Sequence, residues 1–220
     1  MSAVLAGKRV LVSAGPTYED IDPVRFVGNR SSGKMGFALA AAAVGRGASV
    51  TLVAGPTALP TPGNVERIDV RSAAQMREAV LGALPADVYL SAAAVADYTP
   101  RSTAAGKIKK SGESMILELV PTADILAEVA AHPLRPSLVV GFAAETADLE
   151  RNARGKLQAK RLDMIAANLV GVAGSGFEGD DNALSVYWAD GMRQLGPAPK
   201  MRLAGELVEL VGERFKGTGP

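Results

Sequence analysis

The sequence predicts a Rossmann-like three-layer α/β fold, with a mostly parallel sheet covered by helices on both faces. Three observations predict it. Short apolar runs with no polar alternation recur along the chain, the pattern of strands buried on both sides. Helix-forming stretches separate these runs, and a repeated strand, helix, strand order implies right-handed parallel crossovers. Glycine or a Gly-Pro pair stands at several run ends, where the chain must turn sharply.

Residues 9–14 (RVLVSA) are the first buried strand and stop at Gly15-Pro16. Residues 34–47 (KMGFALAAAAVGRG) are rich in alanine and leucine and close with glycine, as a helix does. Residues 49–54 (SVTLVA) end at Gly55-Pro56 and complete a βαβ unit. A helix capped by Ser72 follows over 72–84, then a strand over 87–93 (DVYLSAA) and a short helix over 124–131. Residues 137–142 (SLVVGF) are a strand, 148–161 a charged amphipathic helix, 163–167 a further strand and 201–215 a closing helix, with 216–220 as a frayed tail. Two segments break the rhythm. Residues 98–122 carry KIKK and MILELV pieces that read as a β-hairpin around Ser111-Gly112, and residues 183–195 read as a hairpin turning at Asp190-Gly191. No repeat or linker divides the chain, so a single domain over 1–220 is expected.

Composition narrows the chemistry. In 220 residues the hydrophobic share is 48% and the charged share 21%, which fits a globular domain and excludes disorder. With 24 Lys and Arg against 23 Asp and Glu, the net charge of +1 is too balanced for a protein that coats a polyanion, so no nucleic-acid partner is expected. The absence of cysteine excludes disulfides, thiolate nucleophiles and Cys-ligated metals. The single histidine, His132, excludes two-His metal sites, and its place before Pro133 reads as the end of a helix. No run approaches the roughly 20 apolar residues of a membrane span, and the first residues lack the layout of a signal peptide. A soluble cytoplasmic protein with no membrane contact is the expectation.

Ligands of open parallel sheets bind at the carboxyl ends of the strands, so the loops there carry the candidate site. The loop over residues 15–33 is long and polar and contains GNRSSGKM at 28–35. This matches a phosphate-binding G-x-x-x-x-G-K run but has Met35 where magnesium-binding Ser or Thr belongs, and a G-x-G-x-x-G dinucleotide fingerprint is absent. What remains is physical: Ser31, Ser32, Gly33 and Lys34 present small side chains, hydroxyls and a helix N-terminus to an anion, although the same residues would also serve as a plain helix start. Residues 91–98 (SAAAVADY) leave room for a planar ligand beside Asp97, which otherwise serves as a turn residue. Lys107, Lys109 and Lys110 are either a lysine-protected edge strand, with Lys107 and Lys109 on one face, or a lid that brings a cation to a phosphate. Lys156 and Lys160, four residues apart, share one helix face, where they either meet solvent or present two ammonium groups to a polyanion.

Taken together, DPVRF at 22–26, NRSSGKMG at 29–36, AAVADY at 93–98, KIKK at 107–110, GFAAET at 141–146 and the GFxxDDNAL pattern at 176–184 resemble the bacterial phosphopantothenate-cysteine ligases of coenzyme A biosynthesis. The resemblance covers nearly the whole chain. It implies a homodimer that uses CTP and Mg²⁺ to activate 4'-phosphopantothenate as an acyl-cytidylate and then transfers the acyl group to L-cysteine. Carried over by motif, Asn29 orients the acyl intermediate and Lys107, on a flexible flap over about 98–122, is the principal catalytic lysine. Ser91, Ala92, Ala93, Asp97, Ala123, Asp124, Ile125, Leu126 and Phe142 line the CTP site, with Lys156 and Lys160 on the triphosphate. The resemblance identifies no Mg²⁺ ligands. Tyr18 stands where an arginine is expected in the first loop, and Ala123 where proline is common. Relatives often carry a flavin-dependent decarboxylase before this domain; no flavin and no decarboxylase domain are expected in this chain, and a fused or separate decarboxylase is an expected partner. The alternative reading is a non-catalytic nucleotide-sensing dimer module.

Overall fold

Five of the six residues in the first apolar run are buried, and they form an interior strand of the main sheet. The computed structural model describes residues 3–110, 112, 114–169 and 181–216. In chain order the elements are β1 (Arg9–Ala14), β2 (Tyr18–Asp20), β3 (Phe26–Gly28), α1 (Lys34–Val44), β4 (Ser49–Ala54), β5 (Val65–Asp69), α2 (Ala73–Gly82), β6 (Val88–Ser91) and β7 (Tyr98–Pro100). Then come β8 (Leu119–Pro121), α3 (Ile125–Ala131), β9 (Leu138–Glu145), α4 (Leu149–Ala159), β10 (Met164–Leu169), β11 (Asp181–Trp188), β12 (Gly191–Pro199) and α5 (Lys200–Lys216).

The main sheet runs β12-β11-β10-β9-β6-β1-β4-β5. Pairings from β5 through β10 are parallel, and β11 and β12 complete one edge antiparallel. Because successive side chains leave a strand on opposite faces, each buried strand feeds two cores. Val10, Val12, Val88, Leu90 and Val140 pack with Phe37 and Leu39 of α1 and Leu203 and Leu207 of α5. Leu11, Tyr89, Val139 and Ile165 pack with Met76 of α2, Val129 of α3 and Leu157 of α4. The expected three-layer α/β architecture is the one observed. Among the described residues no helix is long and apolar enough to cross a membrane.

Local chemistry sets several boundaries. Ser72 accepts from the Gln75 N–H at 3.2 Å while the Gln75 side chain accepts from the Ser72 N–H at 3.3 Å, a reciprocal cap that starts α2. His132 closes α3 and accepts from the Leu134 N–H at 3.0 Å. Beneath the sheet, the buried Tyr89 hydroxyl lies 3.0 Å from Ser13 Oγ and 3.3 Å from Ser91 Oγ. Burial raises the phenol's pKa, with the two serine hydroxyls pulling the other way. Tyr89→Phe leaves the buried Ser13 hydroxyl without that partner and is expected to cost about 1–2 kcal/mol in urea unfolding. An unchanged unfolding midpoint would show that the hydroxyl chain contributes nothing to stability.

Four expectations are corrected. The KIKK and MILELV pieces do not pair as a hairpin: pairing is confined to β7 with β8, while residues 107–110 and 114–118 lie outside strands. The backbone of Ile108 bonds instead to Asp22 and Arg25, so the edge-strand reading of the lysines fails, and with it the alternation that set Lys107 and Lys109 on one face. Ser111, at the expected turn, lies outside the described residues. The second hairpin is longer than expected and turns at Ala189-Asp190, and β11 pairs with β10, which makes the hairpin part of the main sheet. Val65–Asp69 (VERID) was not expected as a strand; it sits at the sheet edge, where Glu66 and Asp69 are exposed and three charged residues in five hide the apolar signal. The short β2–β3 pair was not expected either, since three-residue strands carry little periodicity. Of the tail expected to fray over 216–220, Lys216 is the last residue of α5, while residues 217–220 and most of the 176–184 motif lie outside the described residues.

Candidate active site

The strand order reverses between β1 and β6, the position at which open α/β sheets bind ligands. The loops leaving these two strands are zipped together by backbone. Ala92 N–H donates to Ser13 O at 3.0 Å, and Ala94 N–H donates to Gly15 O at 2.8 Å. On the β6 side of this seam a cleft of about 520 Å³ opens over the carboxyl ends of β6, β9 and β10.

One wall is the N-terminus of α1. Gly33, the residue before the helix, has φ 76°, a left-handed conformation that glycine adopts at no steric cost. One turn in, a Cβ on Gly36 would stand 2.4 Å from the Ala14 Cβ, so only glycine lets the helix start lie against β1. The helix has no side-chain cap and no acidic residue in its first turn. Its amide groups and dipole therefore give this wall a positive potential. Ser31, Ser32 and Lys34 line the same wall.

The opposite wall holds the paired ammonium groups. Lys156 Nζ lies 2.7 Å from Glu145 Oε1, and Lys160 Nζ lies 2.7 Å from Asp124 Oδ2. Asp124 also caps α3 by accepting from the Ala127 N–H at 3.0 Å. Burial pushes the Asp124 carboxyl up, and Lys160 with that N–H outweighs it, leaving the group below its ordinary value. A polyanion entering the cleft meets two cations already balanced by carboxylates and must compete for them. The floor contains Ser91, Ala92, Ala93, Asp97 and Phe142, with Ala123, Ile125 and Leu126 beside them. Asn29 ties the first wall to the floor, its Nδ2 donating to the Val95 carbonyl at 2.8 Å.

Every predicted site residue but Lys107 lines this cleft. Lys107 is exposed on the segment between β7 and β8, outside the lining. Sequence reasoning missed Asn168 at the end of β10, Asn182 near the start of β11 and Lys200 at the start of α5, all in the lining. Asn168 was within reach of the carboxyl-end rule, one residue past the predicted strand. Lys200 carried no signal: it is 6% exposed, yet in sequence it is an isolated lysine after Gly-Pro-Ala-Pro, at the entry to an amphipathic helix. Among the described residues no three His, Asp or Glu side chains gather to hold a metal by themselves.

The model of the DNA/pantothenate metabolism flavoprotein C-terminal domain matches residues 5–214. This chain belongs to that family. The coenzyme A biosynthesis bifunctional protein CoaBC of Vibrio cholerae is 50% identical over 215 residues, which cover 96% of this chain and 54% of the relative. The Bacillus subtilis CoaBC is 48% identical over 221 residues, covering 99% and 54%. The chain thus spans about half the length of these curated relatives. The solved C-terminal domain of a CoaBC is 40% identical with a TM-score of 0.83, covering 98% of this chain and 100% of that one. A Cab2 mutant in complex with phosphopantothenate-cysteine shares the fold at 16% identity and a TM-score of 0.78, covering 96% and 87%. The family that the motifs resemble is the family found.

Proposed function

We propose that this domain joins 4'-phosphopantothenate to L-cysteine using CTP, as a cytoplasmic homodimer serving coenzyme A biosynthesis beside a fused or separate decarboxylase. One observation carries the reading: in a chain of this family, a single cleft gathers an uncapped helix N-terminus, Asn29 and the ammonium groups of Lys156 and Lys160. The phosphopantothenate carboxylate attacks the α-phosphorus of CTP, and the bond to pyrophosphate breaks. The cysteine amine then attacks the acyl carbon of the acyl-cytidylate, CMP leaves, and the amine gives up a proton.

Neither step needs a histidine or a thiol, because positioning and charge stabilisation supply the rate. Lys156 and Lys160 exchange their carboxylates for the triphosphate and balance the charge growing on pyrophosphate. Ser31, Ser32, Gly33 and Lys34 receive the phosphate of phosphopantothenate, while the small residues Ser91, Ala92 and Ala93, with Asp97 and Phe142, accept the nucleoside. Asp97, Asp124 and the phosphate oxygens are the hard oxygen donors that Mg²⁺ prefers. Bound there, Mg²⁺ would neutralise part of the triphosphate charge. Asn29 orients the acyl group, and Lys107 approaches from the flap.

The test is pyrophosphate release with Mg²⁺, 4'-phosphopantothenate and either CTP or ATP, with and without cysteine, read beside CMP formation. Release that needs phosphopantothenate and prefers CTP is expected, with cysteine accelerating turnover. The exposed position of Lys107, away from the cleft, favours a second reading, the non-catalytic nucleotide-sensing module. Nucleotide binding with no pyrophosphate under any combination would select that reading. Asn29→Ala is expected to retain CTP-dependent pyrophosphate release while ligated product falls about 100-fold, since misplacing a reacting group costs about that much. Loss of nucleotide binding in that variant would remove Asn29 from the acyl-transfer step.

A further inference from the structure

Asp22 lies in the loop between β2 and β3, buried at 1% exposure and outside the lining of the cleft. Its Oδ1 accepts from the backbone N–H groups of Val24 at 2.8 Å and Arg25 at 2.9 Å, a turn of the kind aspartate makes with its own loop. Its Oδ2 faces elsewhere. It accepts from the Arg25 guanidinium at 3.1 and 2.5 Å and, from 86 residues further along the chain, from the Ile108 N–H at 3.1 Å. Arg25 Nη2 in turn donates to the Ile108 carbonyl at 3.1 Å. Both backbone groups of Ile108 are therefore held by one ion pair, where a hairpin would have used a neighbouring strand.

Two further bonds extend the contact. Ala104 N–H donates to Ile21 O at 3.0 Å, and Thr103 Oγ1 donates to Asp20 O at 3.0 Å. Residues 103–108 are thus pinned along residues 20–25. Ile108 directly follows Lys107, and Asn29 lies four residues beyond Arg25 at the end of β3. One loop consequently connects the two residues to which the proposed chemistry assigns the transfer.

We propose that Asp22, through its pairing with Arg25, is a positioning residue that latches the flap at Ile108 and so sets Lys107 relative to Asn29. The catalytic part of this proposal rests on the ligase reading; the latch itself rests only on the contacts above. Charge-assisted bonds of this kind are the strong ones, and Arg25 holds the carboxyl well below the usual carboxylate range, so the acceptor stays ionised through the working pH range.

The decisive variant is Asp22→Asn. The amide oxygen can still accept from Val24 and Arg25 and so preserve the turn, whereas an amide nitrogen in place of Oδ2 can accept from neither Ile108 nor Arg25. Ile108→Pro is the independent partner: it removes the latched N–H on an exposed segment and leaves the Asp22–Arg25 pair intact. The readouts are trypsin cleavage after Lys109 and Lys110 in the full chain, the midpoint of thermal unfolding, and steady-state pyrophosphate release with CTP. Both variants are expected to speed that cleavage about tenfold and to lower kcat with little change in KM for CTP. Cleavage unchanged in both variants overturns the latch. A lowered unfolding midpoint in Asp22→Asn, with Ile108→Pro silent in every readout, also overturns it and leaves Asp22 as a loop-stabilising residue. Faster cleavage with unchanged kcat supports the latch and removes Lys107 from the proposed chemistry, which separates the failure of the two.

Discussion

Lys107→Gln is expected to lower CTP-dependent pyrophosphate release about 100-fold or more while leaving the thermal unfolding midpoint unchanged. Removing one preorganised donor from a site of developing charge typically costs about 10²–10³ in rate. The folded state has no such dependence, because Lys107 is exposed, lies outside the cleft lining and pairs with no carboxylate among the described residues. Glutamine keeps a hydrogen-bond donor and nearly the same length, so what is lost is the charge. The measurement is single-turnover pyrophosphate release at saturating CTP beside a thermal melt. A normal rate would exclude Lys107 from the chemistry and leave Lys156 and Lys160 to carry the charge alone.

Gly55→Ala is expected to be the most damaging single methyl in the described structure, lowering stability by about 3 kcal/mol. A Cβ at this position would lie 1.7 Å from the Pro16 carbonyl oxygen and 2.8 Å from its carbon, and both are backbone atoms that no rotamer change can move. Relief requires the loop after β1 to retreat. That loop accepts from Ala94 at Gly15 O and from the Ala96 N–H at Thr17 Oγ1, the latter at 2.9 Å, so the strain passes directly into the seam bounding the cleft. The expected readout is a thermal midpoint lower by about 10 °C in a chain of this size, together with weakened CTP binding. Gly82→Ala, at the end of α2 with nothing within 4 Å, is the matched control and should leave both values unchanged. Equal behaviour of the two variants would sink the argument from close approach.

The strands were legible where burial on both faces left an uninterrupted apolar run, as in residues 9–14, 49–54 and 137–142, and the reading lost force at the edges. VERID has the same job as SVTLVA in the sheet, but one side of it meets solvent, and its charges erase the pattern that an interior strand must keep. The flap failed differently. KIKK has strand-like residues but no sheet to join, and its backbone bonds go to an ion pair far away in sequence. Most of the cleft could be named in advance because glycines, small residues and lysines at strand ends advertise themselves locally. Asn168, Asn182 and Lys200 enter it only because β10, β11 and α5 happen to converge there.

By itself, then, the sequence determined the layers, the parallel sheet and the family, since period, turn chemistry and motif order are properties of neighbours along the chain. Tertiary structure alone decided that the loops of β1 and β6 are sewn together and that Lys156 and Lys160 already hold carboxylates. It also decided that Asp22 grips the flap at Ile108. Each of these is a bond of a few ångströms between groups remote in sequence, and its partner is chosen by how the layers pack, which no local pattern encodes.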